Sequence, residues 1–246
     1  MEEIIKTESL TKIYNPLSSN KKVAVDEITL SIKEGEFISI MGKSGSGKTT
    51  LLNVLSTIDD LTKGKLFIYG KNIYEMSEYD KAVFRRKYIG FIFQNYNLLD
   101  TLTVKENIVL PLRLSKVTVD KNEFERIVKE LEIEKELNKY PFECSGGQLQ
   151  RVAVARTLIM NPKIIFADEP TGNLDGVRSK QLMQYLEEIN KNRNITIVIV
   201  THDPLDAAYS SQMYYIEDGK IKNHLIKGDD TFEEYFSKIV KISMEL

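Results

Sequence analysis

The chain has 246 residues, 42% hydrophobic and 28% charged, which is enough to bury a substantial core in one large domain or two small ones. Its 34 basic and 36 acidic residues nearly cancel, so composition gives no sign of the strong positive field typical of nucleic-acid or anionic-membrane binding, and we expect no nucleic-acid partner. One cysteine, Cys144, excludes an intramolecular disulfide and favours a reducing cytosol. The first residues lack the pattern of a signal peptide, and the aliphatic runs are too short to span a bilayer. If the protein acts at a membrane, another chain must therefore provide the membrane-spanning part.

The first part of the chain alternates short apolar runs with turns, a pattern typical of β-strands. We expect several of these strands to pair antiparallel. The predicted strands cover residues 4–14, 23–32, 37–41, 66–69 and 88–93, with a polar loop at residues 15–22.

A glycine-rich loop follows the third predicted strand and precedes a segment of helical character. It fits the pattern G-x-x-x-x-G-K-[ST], in which glycines let successive backbone N–H groups turn towards a phosphate at a helix start. Lys48 is expected to reach the β- and γ-phosphates of ATP or GTP, and the Thr49 hydroxyl to ligate Mg²⁺. The predicted nucleotide-binding residues here are Gly42, Lys43, Ser44, Gly45, Ser46, Gly47, Lys48, Thr49 and Thr50.

The middle of the chain is predicted to be helical from about residue 103 to 160, with breaks at Pro111, Pro141 and residues 145–147. Strand patterns then return at residues 163–167, 195–201 and 214–217, with a helix over 176–192 between the first two. Thr231 and Glu234 form a capping-box pattern that begins a last helix.

Strands that alternate with helices favour an α/β fold. We expect a P-loop NTPase core with a mostly parallel sheet, an antiparallel β subdomain and an inserted helical subdomain. The whole chain, residues 1–246, is predicted to be one nucleotide-binding domain. Its helical subdomain is placed at roughly 97–160 and its C-terminal helix at roughly 231–244.

Two acids end the apolar run at residues 164–167. Ligands bind beyond the carboxyl ends of parallel strands, so Asp168 is predicted to hold Mg²⁺, directly or through water, and Glu169 to polarise the attacking water. An isolated Asp-Glu pair is commonly a cap or a turn. Its combination with the phosphate loop makes it a catalytic candidate.

A second anion site is predicted where Cys144 is followed by Ser145, Gly146, Gly147 and Gln148. Ser145 is a natural N-cap, and the two glycines expose the N–H groups of the first helical turn. A plain capped turn is the simpler interpretation, but a second phosphate site on one chain calls for a reason.

The ordered set of motifs resembles the nucleotide-binding subunit of an ABC transporter over nearly the whole chain. The resemblance implies that residues 145–148 meet the γ-phosphate bound to the opposite subunit, so that ATP drives a head-to-tail homodimer. It also implies that Tyr14 stacks on adenine, although a lone strand tyrosine is otherwise packing. Residues 172–175 then correspond to the loop that crosses the dimer.

Two further residues take their roles from the same resemblance. Gln94, after a strand, is expected to sense Mg²⁺ and the attacking water and to open the loop that faces the membrane partner. His202, at the end of a buried strand, is expected to hold the γ-phosphate and orient Glu169. Cys144 stands where the family usually has leucine; because cysteine acts as a small hydrophobe, slightly looser packing is expected.

The phrases at residues 51–59, 90–99, 171–175 and 201–204 are similar to the Bce-type transporters that protect Gram-positive bacteria against bacitracin and lantibiotics. That resemblance implies an integral membrane permease, a sensor histidine kinase reached through the permease, and a location at the cytoplasmic face of the membrane. Leu98, Leu99, Leu102 and Leu110 are candidates for the permease contact or for core packing. Lipoprotein release, macrolide export, cell-division signalling and a soluble DNA-repair ATPase are the alternatives, the last disfavoured because no heptad coiled coil separates the halves.

Overall fold

The computed structural model describes residues 2–17 and 20–245. The predicted loop at 15–22 includes Ser18 and Ser19, which lie outside these residues. The α-helices of the described part are α1 (Lys48–Leu55), α2 (Glu78–Tyr88), α3 (Val104–Leu114), α4 (Lys121–Glu130), α5 (Gly146–Leu158), α6 (Gly176–Arg193), α7 (Pro204–Ala207) and α8 (Phe232–Glu245).

The strands form two sheets. The described strands are β1 (Glu3–Tyr14), β2 (Lys22–Ile28), β3 (Ser31–Lys33), β4 (Phe37–Met41), β5 (Lys63–Ile68), β6 (Lys71–Asn72), β7 (Ile89–Ile92), β8 (Ile164–Asp168), β9 (Thr196–Val200), β10 (Gln212–Glu217) and β11 (Lys220–Ile226). One sheet has the order β11-β10-β4-β9-β8-β7 and is parallel except for the β10–β11 pair. The other has the order β2-β1-β5-β6, with β3 also on β1, and is antiparallel. The predicted α/β fold is therefore confirmed.

The parallel strands are mostly apolar and buried, because both faces of their sheet are covered. Successive side chains of a strand point to opposite faces, so β8 divides its residues between two cores. Ile164 and Phe166 join the core that contains α1 and the antiparallel sheet. Ile165 and Ala167 join the core that contains helices α3 to α6.

The parallel arrangement brings the carboxyl ends of four strands to one edge. In the register of the sheet, Val200 pairs with Ile40 on one side and with Asp168 on the other. The phosphate loop, Gln94, Glu169 and His202 follow β4, β7, β8 and β9 respectively. Topology alone thus gathers residues that are distant in the chain.

The expectation of one strand over residues 23–32 is wrong, because the chain breaks there into β2 and β3. Ile28 pairs with Leu10, whereas Ser31 pairs with Lys6, so the two strands use different stretches of β1. The Thr7 hydroxyl bridges the break, donating to the Ile28 carbonyl at 3.0 Å and accepting from the Leu30 amide at 2.9 Å. A buried side chain thereby satisfies the backbone groups that the sheet leaves unpaired.

Pro111 does not break the helical region as predicted; it lies inside α3. An interior proline costs a helix about 3 kcal/mol. Val104, Ile108 and Leu112 of the same helix are buried in the core, and each such side chain contributes about 1.5–3 kcal/mol. Burial therefore outweighs the local penalty.

The sequence interpretation missed four elements, namely α2, β6, α7 and β11. The boundaries of the proposed domain and helical subdomain stay predictions. Within the described ranges, no helix combines the length and apolar character that crossing a membrane requires.

Candidate functional site

The phosphate loop is shaped by glycines that no other residue could replace without a clash. Gly47 has φ of 104°, and a Cβ atom there would lie 2.1 Å from the Ala24 carbonyl oxygen. At Gly42, with φ of 151°, a Cβ would lie 2.1 Å from the Ile216 carbonyl oxygen. The loop is therefore packed tightly against β10 and the start of β2, and helix α1 begins directly from Gly47.

Lys48 lies inside this loop, and 6% of its surface is exposed. Its ammonium donates to the carbonyl oxygens of Gly42 at 2.9 Å and Lys43 at 2.8 Å. Burial lowers the pKa of Lys48, and the carboxylates of Glu169 and Asp168 oppose that shift. Because hydrogen bonds between charged groups are stronger than those to neutral carbonyls, a phosphate is a better partner for this ammonium.

A second feature of the loop also fits a phosphate ligand. The Ser46 hydroxyl is buried, and no donor or acceptor in the described part of the chain pairs with it. A buried hydroxyl without a partner is costly unless a ligand or water satisfies it. The residues present therefore fit a bound triphosphate.

Thr49 and Asp168 lie together as the sequence predicted for metal ligands. The Thr49 hydroxyl donates to Asp168 Oδ1 at 3.0 Å. Burial raises the pKa of Asp168, and the bond from Thr49 opposes the shift. Among the described residues no group of three His, Cys, Asp or Glu side chains gathers for a metal, but Mg²⁺ is commonly held by one or two protein oxygens together with substrate phosphates. The Thr49 hydroxyl and the Asp168 carboxylate, which lie beside the phosphate loop, would supply two such oxygens.

Glu169 is held from both sides. Its backbone adopts φ of 44°, and its amide donates to the Val200 carbonyl of β9 at 2.9 Å. Gln94 Nε2 donates to Glu169 Oε2 at 3.3 Å, and His202 Nδ1 lies 3.3 Å from Glu169 Oε1. The structure thus brings together the three residues that the sequence nominated as catalytic.

The segment after Gln94 is tethered by two side chains. Asn173 donates to the Gln94 carbonyl at 2.8 Å, and Arg156 of α5 donates to the carbonyls of Tyr96 and Asn97. Sequence reasoning missed Arg156. Its only signal was a second arginine in the helix that follows residues 145–148.

Residues 145–148 begin α5, with Ser145 at the N-cap position as predicted. Gln148 accepts from the Ser145 amide through Oε1 at 2.8 Å and donates to Glu136 Oε1 at 2.8 Å. Residues 145–148 are thus held by the helical region through Glu136, whereas the phosphate loop packs against strands β2 and β10. The two predicted anion sites are therefore built on different parts of the molecule.

Tyr14, the predicted adenine platform, is 37% exposed. Its hydroxyl donates to Asp59 Oδ2 at 2.8 Å, and Lys12 bonds the other Asp59 oxygen at 2.6 Å. Burial raises the pKa of the Tyr14 hydroxyl, and Thr50 at the start of α1 opposes that shift. The ring is thus fixed beside the start of α1, and Asp59 is a residue that the motifs did not reveal.

Sequence reasoning also missed a buried acid behind the edge of the sheet. Asp206 of α7 is 2% exposed and accepts hydrogen bonds from the hydroxyls of Thr171 and Thr201. The one available signal was an acidic residue in a short run of small residues just after His202.

The comparisons with known proteins agree with this geometry. The family model for ABC transporters matches residues 25–172. The bacitracin export ATP-binding protein BceA of Halalkalibacterium halodurans is 47% identical over 97% of this chain and 94% of its own length. The chain belongs to the ABC transporter family.

Two further relatives of this ABC transporter chain extend the comparison. The lipoprotein-releasing system ATP-binding protein LolD of Leptospira interrogans is 42% identical over 79% of this chain and 82% of its own length. A dimeric, post-hydrolysis structure of the ATP-binding cassette MJ0796 bound to ADP and Pi superposes with a TM-score of 0.84 at 37% identity, covering 91% of this chain and 98% of that one. The protein is accordingly an ATP-binding and ATP-hydrolysing subunit of an ABC transporter.

Proposed function

We propose that Glu169 activates the water that attacks the γ-phosphate of ATP. The observation that carries this proposal is the clamp on its carboxylate, in which each oxygen lies 3.3 Å from a nitrogen of Gln94 or His202. A general base oriented in this way contributes about 10²–10⁴-fold to a rate. Residues 42–50 bind and orient the triphosphate, and Lys48 supplies positive charge to it. Thr49, Asp168 and Gln94 would hold Mg²⁺, which would supply positive charge to neutralise the phosphates.

The variant Glu169→Gln tests this assignment, because it keeps the shape of the side chain and removes the base. We expect steady-state ATP turnover to fall at least about 100-fold, while ATP still binds and still produces dimers in light scattering. Glu78→Gln, an exposed acid on α2, is the matched control and keeps the parental rate. Unchanged hydrolysis in Glu169→Gln would overturn the assignment.

We propose that the working unit is a nucleotide-dependent homodimer. Residues 145–148 have a helix N-terminus and two glycines suited to a phosphate, but their contacts lead to the helical region rather than to the phosphate loop. A second copy facing head to tail would place this step against the ATP held by residues 42–50. The similarity to a dimeric cassette bound to ADP and Pi supports a dimer as the working unit.

An integral membrane permease is the proposed partner, and it would hold this subunit at the cytoplasmic face of the membrane. A groove of about 630 Å³ lies between α2, the start of α4 and the end of α5. Val83, Leu112, Val117 and Met160 give it apolar walls. Its charged lining is mixed, with Arg86, Lys87 and Arg126 beside Asp120 and Glu123. An apolar groove with a mixed charged lining suits an amphipathic cytoplasmic helix.

The four leucines considered for this contact differ in burial. Leu98 packs against the core, whereas Leu99 is 48% exposed, and Leu102 and Leu110 are partly buried. Leu99 is therefore the strongest of the four candidates for the permease contact. Val117→Asp and Leu99→Asp should each reduce co-purification of the permease while leaving the ATPase rate of the isolated subunit unchanged.

The proposed cargo is an antimicrobial peptide of the bacitracin or lantibiotic type, with a sensor histidine kinase reached through the permease. The support is the 47% identity to a bacitracin export subunit over nearly the whole chain, together with the phrases at residues 51–59 and 90–99. Peptide-stimulated ATP hydrolysis in the assembled complex tests this assignment. Stimulation by a lipoprotein or a macrolide instead, or a response only to division proteins, would favour one of the alternatives.

A further inference from the structure

Asp206 occupies an unusual position for an acid. It is 2% exposed, and its Oδ2 accepts hydrogen bonds from the Thr171 hydroxyl and, at 3.3 Å, from the Thr201 hydroxyl. Burying a carboxylate is costly unless donors compensate it. Two neutral hydroxyls are a modest compensation, so the position calls for an explanation.

The two threonines belong to the segments that carry Glu169 and His202. Thr171 lies in the turn after Glu169, where the Gly172 amide donates to the Glu169 carbonyl at 3.1 Å. Thr201 directly precedes His202, and its hydroxyl accepts from the Asp203 amide at 3.0 Å. One carboxylate therefore joins the turn that follows β8 to the turn that follows β9.

We propose that Asp206 is a positioning residue for ATP hydrolysis, holding the two turns at the spacing that leaves Glu169 Oε1 3.3 Å from His202 Nδ1. The inference rests on the roles proposed above for Glu169 and His202. A displacement of about 1 Å between such groups can cost 10²-fold in rate, so a tie between their turns has a direct kinetic consequence.

The raised pKa of Asp206 is also consistent with a functional role for this acid. Burial raises the pKa of Asp206 to about 6, the bonds from Thr171 and Thr201 oppose the shift, Asp203 adds to it and His202 reduces it. A carboxyl whose pKa is raised by folding destabilises the folded protein at neutral pH relative to an uncharged side chain. Groups kept at such a cost are commonly found at sites where function needs them.

Asp206→Asn is the primary test, with kcat, KM, ATP affinity and melting temperature measured at pH 7.5. Both bonds reach Oδ2, so the amide oxygen can still accept them, but the loss of the negative charge weakens both, and we expect kcat to fall at least about tenfold while ATP affinity changes less than twofold. The melting temperature should stay the same or rise, because the buried charge is gone. Unchanged kcat, or parallel losses of kcat and melting temperature, would overturn the proposal.

Variants of the two threonines separate the hydrogen bonds from packing. Thr171→Val and Thr201→Val keep the volume and remove the donor, and each should lower kcat, whereas Thr171→Ser and Thr201→Ser keep the donor and should restore it. Asp229→Asn, which changes an exposed acid between β11 and α8, controls for loss of a charge elsewhere and should leave kcat unchanged. Equal rates in the Val and Ser variants would contradict the role of the bonds.

The Glu169→Gln variant distinguishes this inference from the proposed function. Full turnover in Glu169→Gln would refute the catalytic assignment whatever Asp206 does. Lost turnover in Glu169→Gln together with a parental kcat in Asp206→Asn would refute the positioning role alone.

Discussion

The edge of the parallel sheet and the start of α5 both carry predicted phosphate-binding groups, but they are completed differently. At the sheet edge, Gln94 and His202 each contact Glu169, and Thr49 contacts Asp168. At the start of α5, Gln148 contacts Glu136 of the helical region. The first site is organised within one chain, whereas the second presents donors that another copy would use. In the proposed dimer, one fold therefore carries a preformed site and a half-site.

The largest effect should come from variants that inactivate each region in turn. Lys48→Ala removes the loop ammonium and should abolish ATP binding by the isolated subunit. Gly146→Asp puts a negative charge at the start of α5 and should abolish hydrolysis while the isolated subunit still binds ATP. Equilibrium binding of a fluorescent ATP analogue and a phosphate-release assay distinguish the two defects.

Mixing the two inactive variants tests whether the phosphate loop of one copy works with the α5 start of another copy. In a head-to-tail dimer, the pocket with the loop of the Gly146→Asp copy and the α5 start of the Lys48→Ala copy is intact. Hydrolysis should therefore reappear in the mixture, although neither variant is active alone. A mixture that stays inactive while forming dimers would argue against shared pockets.

Glycine-to-alanine variants should separate the two regions by stability. At Gly47 the backbone is left-handed and the added Cβ meets a carbonyl oxygen at 2.1 Å, so Gly47→Ala should lower the free energy of unfolding by at least about 2 kcal/mol. At Gly146 the nearest neighbour is the Tyr96 hydroxyl at 3.1 Å, and the change should be much smaller. Urea denaturation gives both values, and equal losses would contradict this prediction.

Variants of two aromatic residues, Tyr14 and Phe142, test which region binds the base of the nucleotide. Tyr14→Ala should weaken ATP binding to the isolated subunit by about 1–3 kcal/mol, the value of a stacked base. Tyr14→Phe keeps the ring and should bind nearly normally. Phe142, which is 75% exposed near the start of α5, provides the control, since Phe142→Ala should not alter this affinity. Calorimetry measures each constant.

The smallest effect is expected at Cys144, next to the α5 start. Burial raises the pKa of the Cys144 thiol, so it stays protonated at pH 7.5 and should be alkylated slowly, with a rate that rises at higher pH. ATP should slow the reaction further if a second copy covers this step. Cys144→Ala should keep the ATPase rate within about twofold. If the preparation forms dimers but ATP does not change the alkylation rate, the result would argue against the head-to-tail dimer.

Local sequence patterns were sufficient for the features that depend on neighbouring residues. The phosphate loop, the Asp168–Glu169 pair and the capped start of α5 are each defined within a few residues, because glycine conformations, helix caps and strand ends are local properties. The family resemblance nominated Gln94 and His202, and the structure places both beside Glu169.

Contacts between distant residues could be decided only by the tertiary structure. The break between β2 and β3 depends on Thr7, the tolerance of Pro111 depends on the core around α3, and Tyr14 is held by Asp59, 45 residues away. Asp206 reaches Thr171 across 35 residues because α7 packs behind the edge where β8 and β9 end. A one-dimensional pattern identifies the groups capable of chemistry, whereas the sheet topology determines which of them lie close enough to act together.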